Sequence, residues 1–460
     1  MINYFNFKQF GDEFLVTNDL GKYAFLDKKD FIDLVKDQVD PNSETGQILT
    51  ERGFIHDGSQ QGFIDDTIHL MRDSKNYVFL PTSLHIFVVT NACNMNCIYC
   101  QANNGTVKPH DMMFAETAEK AVDIALSAPS NSLTFEFQGG EPLLNFPVIK
   151  HIVEYTEAHK GYKDIEYTIV TNLTLIQDDM IDFFEKYSIS VSTSLDGFRE
   201  LHNRNRPNIS GEGTFDDVLR GIEKIRSRGI RLGAIETTTR HSLSEPEKLV
   251  DTYYDLGFRD IFIRPLTPLG CANKSWEQIG YTPEEFLDFY KRALLRIISK
   301  NAGDGHMREG HASLFLAKIL HGRPVNYMEL RSPCGASVGE MAYYPNGDVF
   351  TCDEGRMLFE MGNDSFRLGN VRTSTYDDIT HSPTCCTVCR ASITESLPTC
   401  CDCVYQPYCG VCPVINLALE KDIIPKYPHN YRCRLYGGML DLLFYLIKNE
   451  KYTSIMKSWN

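Results

Sequence analysis

Nowhere in this 460-residue chain is there an apolar run of roughly 18 residues, so no stretch of it reads as a membrane span. Its opening, MINYFNFKQFGDEF, has polar residues every few positions and lacks the charged-then-apolar order of an export signal. The expected location is therefore the cytoplasm. Positive charge is also in short supply: 46 Lys and Arg face 61 Asp and Glu, a net charge of −15 that repels phosphate backbones and anionic lipid. Neither nucleic acid nor a membrane is an expected partner. The 13 His residues form no pair at ligand spacing, and Gly211-Glu212-Gly213 reads as a turn, not a phosphate loop.

In bulk the chain is ordinary. An apolar fraction of 42% with 23% charged residues excludes disorder and fibrous architecture. The length leaves room for several domains at about 100 to 200 residues each. In a reducing compartment the 15 cysteines are better read as metal ligands than as disulfides. They are unevenly placed: none in residues 1 to 80, three between 93 and 100, Cys271 alone, and eleven from Cys334 to Cys433. Three districts follow, 1–81, 82–305 and 306–460.

The first district opens with strand-like runs (Tyr4 to Phe7, Phe14 to Thr17, Tyr23 to Leu26) and a helical stretch around Phe31 to Val39, an α+β module. Leu49, Phe54, Ile55, Phe63 and Ile64 are expected to complete its core. The second alternates strands with amphipathic helices. Its strands are predicted at Leu84 to Val89, Leu133 to Phe137, Ile165 to Val170, Ile189 to Thr193, Ile230 to Thr237 and Ile261 to Pro265. After the fourth, Thr214 is expected to cap a helix with Phe215, Val218, Leu219, Ile222 and Ile225 on one face and Gly229 as its stop. Six such alternations predict an α/β fold of parallel strands in an open or closed barrel, with its chemistry at the C-terminal strand ends.

The unusual residues fall at those ends. Cys93, Cys97 and Cys100, in Cys-x3-Cys-x2-Cys, follow the first predicted strand, Gly139-Gly140-Glu141-Pro142 the second, Thr171-Asn172 the third and Ser194-Leu195-Asp196-Gly197 the fourth. Zinc would usually want a fourth ligand nearby and no His or Cys supplies one. Three thiolates on one loop suit a 4Fe-4S cluster with one iron left open.

Here the sequence resembles the radical S-adenosylmethionine (SAM) enzymes, whose three cysteines share this spacing with an aromatic residue before the last, the place of Tyr99. The resemblance implies a partial (β/α)6 barrel, SAM chelated at the open iron, and its reductive cleavage to a 5′-deoxyadenosyl radical that abstracts a substrate hydrogen. It also implies that Gly139, Gly140 and Glu141, assisted by Gln138, receive the methionine ammonium. Thr171, Asn172, Ser194 and Asp196 would be the remaining SAM contacts. Leu173 stands where Gly often follows Asn in relatives.

The third district resembles the SPASM extension of peptide-modifying radical SAM enzymes. By that resemblance Cys400, Cys403, Cys409 and Cys433 hold one auxiliary 4Fe-4S cluster and Cys334, Cys352 and Cys412 belong to another, for three clusters in all. Only two residues separate Cys409 from Cys412, where the family usually has three. Cys385, Cys386, Cys389 and Cys401 are surplus, either unligated or, for one of them, completing the first auxiliary cluster. A zinc ribbon is the competing reading of this district. Asp353, beside Cys352, looks like the substrate base of related sulfatase-maturing enzymes, with Glu354 as alternate. Arg204, Arg206 and Arg264 are candidate carboxylate forks or solvated charges.

Below the superfamily, the runs Asn18 to Phe25, Cys352 to Met357 and Gln406 to Gly410 look most like maturases of the His-Xaa-Ser peptide system. That likeness implies a winged-helix-like N-terminal module receiving a ribosomally made precursor peptide, with a second radical SAM protein as a partner. A cross-linking maturase is the first expectation, with formylglycine-type oxidation, epimerisation, a small-molecule dehydrogenase and a non-enzymatic zinc protein as alternatives. No flavin or nicotinamide motif appears, so a flavodoxin or ferredoxin is the implied electron donor.

Overall fold

The computed structural model describes residues 1–56, 58–102, 112–302 and 305–460. Strands β1 (Asn6–Phe10), β2 (Glu13–Thr17) and β3 (Tyr23–Leu26) form an antiparallel sheet in the order β1-β2-β3. Leu15 and Val16 are fully buried, and Leu34, Leu49, Phe54 and Ile55 close the small core over Val16, Ala24 and Leu26. The expectation for Ile64 fails: it is exposed, because the helix Gln60–Ser74 buries no residue. The module docks on the cysteine-rich region through backbone acceptors. Thr17 Oγ1 donates to the Val404 carbonyl at 2.7 Å, and Asn6 Nδ2 donates to the carbonyls of Cys401 and Cys403 at 3.1 and 3.2 Å.

The barrel strands fall where alternation put them: β4 (Leu84–Thr90), β5 (Ser132–Gly139), β6 (Asp164–Val170), β7 (Ser190–Ser194), β8 (Leu232–Thr237) and β9 (Asp260–Arg264). All six are parallel and neighbour one another in sequence order. Helices such as Phe215–Ser227 cover the outer face, turning Phe215, Val218, Ile222 and Ile225 inward. Thr214 is the N-cap residue of that helix, as expected, but its side chain makes no capping bond. Its hydroxyl donates to the Arg206 carbonyl at 2.6 Å, and Asn203 Oδ1 accepts the Phe215 N–H at 2.9 Å instead.

The sheet does not end with the barrel. Strand β10 (Arg308–Glu309) pairs with β9. On the other edge β11 (Glu340–Tyr343) pairs parallel with β4, and β12 (Asp348–Phe350) and β13 (Arg367–Asn370) continue antiparallel. The ten-stranded order is β10-β9-β8-β7-β6-β5-β4-β11-β12-β13. The cysteine-rich region is thus hydrogen-bonded into the barrel beside its first strand, with β11 in register from Glu340 against Leu84. No helix among the described residues is long and apolar enough to cross a membrane.

Candidate functional site

Strand β4 runs straight into the cysteine loop, and the loop is pinned from outside the strand. The N–H groups of Asn96 and Ile98 donate to the carbonyls of Pro207 and Asn205 at 2.8 and 3.0 Å, and Cys271 N–H donates to the Cys100 carbonyl at 2.8 Å. Beneath the loop lies a buried charge network. Tyr99 donates its hydroxyl to both oxygens of Asp196, at 2.9 and 2.8 Å, and Arg206 Nη1 donates to the Tyr99 oxygen at 2.5 Å. Burial pushes the Asp196 carboxyl up and the Arg206 charge pulls it back down. Arg206, half expected to be a solvated charge, is only 8% exposed.

The three thiols crowd one another. Burial, reinforced by Cys97 and the other neighbouring anions, pushes Cys93 up to about 12, and burial raises Cys97 to about 11 against the pull of Arg206. All three open on one cavity of about 490 Å³, which Gln138, Gly139, Gly140, Thr171, Asn172 and Ser194 also line. Four strand ends therefore converge where the alternation placed them. Glu141 and Asp196 lie outside that lining. Glu141 is 1% exposed and accepts hydrogen bonds from Thr171 Oγ1 at 2.6 Å, Asn172 N–H at 2.8 Å and Leu143 N–H at 3.1 Å. It braces the Thr171-Asn172 turn from below, as Asp196 braces Tyr99.

The glycine pair has a reason within the chain. A Cβ on Gly139 would stand 2.1 Å from the Thr90 carbonyl oxygen, and one on Gly140 2.2 Å from that of Ala92. The end of β5 is pressed against the root of the cysteine loop, and only glycine allows it. Leu173 shows the converse: it holds the left-handed backbone, φ +62°, that a glycine there would adopt freely. The turn is tied across to the cysteine loop, with Asn172 Nδ2 donating to Asn94 Oδ1 at 2.9 Å.

A family model for the Radical SAM superfamily matches residues 87–260. Protein MJ0907 of Methanocaldococcus jannaschii, an uncharacterised protein, is 32% identical over 248 residues, 52% of this chain and 85% of its own. The chain belongs to the radical SAM superfamily. A cysteine-type anaerobic sulfatase-maturating enzyme of Clostridium perfringens strain 13 is 26% identical over 310 residues, 65% of this chain and 80% of that enzyme. Among solved structures, native anSMEcpe with bound AdoMet and Kp18Cys peptide superposes with a TM-score of 0.69 at 21% identity, over 82% of this chain and 99% of that one.

Membership brings SAM and a 4Fe-4S cluster, and the residues present fit both. Three half-buried cysteines line one cavity together with small residues and short polar side chains, and Arg206 Nε is buried there without a hydrogen-bond partner. Thiols held above their usual range are protonated until metal displaces the proton.

The same cavity reaches the cysteine-rich region, where Cys334, Cys352 and Cys412 line its far side, all buried. Cys352 caps the helix Asp353–Glu360, its Sγ accepting the Gly355 N–H at 3.3 Å. Asp353 and Glu354 line the cavity beside it. Asp353 accepts from Arg356 Nε at 2.7 Å, and Glu354 is paired with Arg264 at 3.2 Å. Close by, Glu329 meets Arg432 at 2.6 Å; burial would raise this carboxyl, but the guanidinium outweighs it and holds Glu329 at about 2. Glu329, Glu340 and Arg432 carry no sequence motif and were not foreseen, and Arg356 was noticed only as part of the run Cys352 to Met357.

Cys400, Cys403, Cys409 and Cys433 converge on a separate cavity of about 50 Å³, and Cys412 lines both cavities. Burial pushes Cys400 and Cys433 up to about 12 and Cys409 to about 11. The surplus cysteines stand apart. On the helix Pro383–Arg390 the Cys385 thiol holds Cys389 below the usual thiol range by hydrogen bonding to it, Cys386 is exposed, and Cys401 faces Asp402 at 3.6 Å.

Proposed function

We propose that this chain is a peptide maturase that oxidatively modifies a residue of a ribosomally made precursor, forming a cross-link. The carrying observation is the continuous cavity of about 490 Å³ that opens both on the Cys93, Cys97, Cys100 loop and on Cys334, Cys352 and Cys412. A peptide side chain placed in it lies between a site of hydrogen abstraction and a site that can take up the electron left behind. In this reading Cys93, Cys97 and Cys100 hold the cluster that, when loaded, supplies the SAM-derived radical. Gln138, Gly139, Gly140, Thr171, Asn172 and Ser194 bind SAM, with Glu141 and Asp196 as supports from below. Cys400, Cys403, Cys409 and Cys433 hold one auxiliary cluster and Cys334, Cys352 and Cys412 another, for three in all.

Asp353 takes the substrate proton on the oxygen not engaged by Arg356, whose guanidinium fixes the carboxylate toward the cavity. Arg264, on the same wall, supplies a fork for a peptide carbonyl or carboxylate. The N-terminal sheet receives the leader of the precursor along an edge strand. A flavodoxin or ferredoxin supplies the electron, and a second radical SAM protein acts beside this one. Formylglycine-type oxidation is the second reading, favoured by the likeness to the C. perfringens sulfatase-maturating enzyme.

The test is anaerobic co-expression with the short peptide encoded beside the gene, against a Cys97→Ala control. Loss of two hydrogens bridging two residues supports the cross-link. Loss confined to one Ser or Cys supports the second reading, and an unchanged peptide with SAM still cleaved counts against both.

A further inference from the structure

Cys334, Cys352 and Cys412 supply three thiols to a site where a four-iron cluster wants four ligands. The surplus cysteines do not complete it: besides these three and the loop triad, no cysteine lines the cavity. Met328 lines it, but its Sδ packs over the backbone of Gly335 and Gly339, 2.2 and 3.0 Å from where a Cβ on each would stand.

Two carboxylates are nearer. The ligand atoms of Glu340, Cys352 and Glu354 all lie within 4.8 Å of one another. They differ in what else they do. Glu354 is taken up by Arg264 at 3.2 Å. Glu340 is 7% exposed, and among the described residues its carboxylate makes no hydrogen bond and no ion pair. Its electrostatic neighbours are Glu354, Asp353, Glu136 and Glu329, all acids. A buried carboxylate whose strongest electrostatic neighbours are all acids is costly for a protein to hold without a bound positive centre.

The placement is rigid. Glu340 is the first residue of β11, locked in register against Leu84 of β4, with its N–H donating to the Gly335 carbonyl at 3.2 Å. The chain between Cys334 and Glu340 is a tight turn in which Val338, Gly339 and Glu340 all donate to Gly335. That turn joins Cys334 to Glu340, and both line the cavity together with Cys352 and Cys412.

We propose that Glu340 is the fourth protein ligand of the auxiliary cluster held by Cys334, Cys352 and Cys412. The proposal rests on those three cysteines being cluster ligands and is independent of which peptide residue is modified. Oxygen ligation at one iron makes that cluster site-differentiated, spectroscopically distinct from the four-cysteine cluster of Cys400, Cys403, Cys409 and Cys433.

The test uses the full-length chain with Cys93, Cys97 and Cys100 changed to Ala, loaded anaerobically with iron and sulfide. Iron analysis, Mössbauer and EPR spectra are recorded on this parent and on its Glu340→Gln, Glu340→Cys and Glu354→Gln derivatives. The parent is expected to hold roughly eight irons in two unlike clusters. Glu340→Gln should lose about one iron per chain and gain a three-iron EPR signal on oxidation. Glu340→Cys should restore the iron and make the two clusters alike, which a merely misfolded variant could not do, and Glu354→Gln should match the parent. A Glu340→Gln spectrum identical to the parent's, or a change with Glu354→Gln instead, overturns the assignment. A parent with only one cluster overturns the auxiliary site itself, whatever the peptide assay gives.

Discussion

Cys93, Cys97 and Cys100 come from a single loop at the end of one strand, whereas Cys334, Cys352 and Cys412 come from a turn, a helix cap and the start of another helix. The first triad is set by local chain geometry and braced from below by Tyr99, Asp196 and Arg206. The second exists only when β11 and β12 have joined the barrel sheet beside β4. A contiguous metal site announces itself as a spacing. A site assembled from distant segments recruits whatever donor the fold delivers, and that donor need not be a cysteine.

The largest effect should separate the triads by function. Cys97→Ala is expected to abolish 5′-deoxyadenosine formation, whereas Cys352→Ala should keep SAM cleavage and lose peptide modification, both read by chromatography and mass spectrometry of the same reaction. Loss of cleavage in both variants would show the triads to be one functional unit. Next, Arg206→Met leaves Asp196 buried without its cation and should cost about 3 to 5 kcal/mol in denaturant melts. A cost below about 1 kcal/mol would mean that the network under the loop is not what holds it.

A matched pair of glycines probes the two regions at equal insult. A Cβ on Gly140 would stand 2.2 Å from the Ala92 oxygen, and one on Gly410 2.3 Å from the Glu329 oxygen. Each change to Ala should cost on the order of 2 kcal/mol, the first lowering iron at the loop triad and the second at the auxiliary sites. Iron analysis on the two variants checks the separation.

The smallest effect is one of pH. Burial lowers His85 to about 3, and His85 Nδ1 lies 2.9 Å from the Tyr343 hydroxyl across the β4–β11 seam. Its folded pKa lies below its unfolded value of 6.5, so its share of stability is full above pH 6.5 and is lost as pH falls toward 3. Between pH 7.5 and 5.5 the chain should lose about 1.4 kcal/mol more than a His85→Gln variant. Equal losses would place the sensitivity outside the seam.

The barrel was legible because apolar runs such as Ile165 to Val170 alternate with helices of one buried face, and the four motifs fell at strand ends where the fold then joined them. Side-chain destinations were not legible in the same way. Glu141 and Asp196 read as ligand contacts, and the sequence did not say that their oxygens also accept from Thr171, Asn172 and Tyr99, because it names a carboxylate without saying which way the turn points it. Thr214 read as a cap and holds the N-cap position, yet the side chain that accepts the Phe215 N–H is Asn203 from an earlier helix. Ile64 read as core because periodicity marks an apolar face without its partner. Glu340 carried no signal at all: one glutamate heading a strand becomes noticeable only when the sheet sets it beside Cys352.

The short stretch between Cys409 and Cys412 has a mechanical meaning. Two residues, Gly410 and Val411, bridge a cysteine of one cavity to a cysteine that lines both, and Gly410 is pulled flat against the Glu329 backbone. The bridge behaves as a taut strap: it leaves no slack for either pocket to shift without dragging the other, so the two cavities share one tolerance to movement and drift, tighten or fail together.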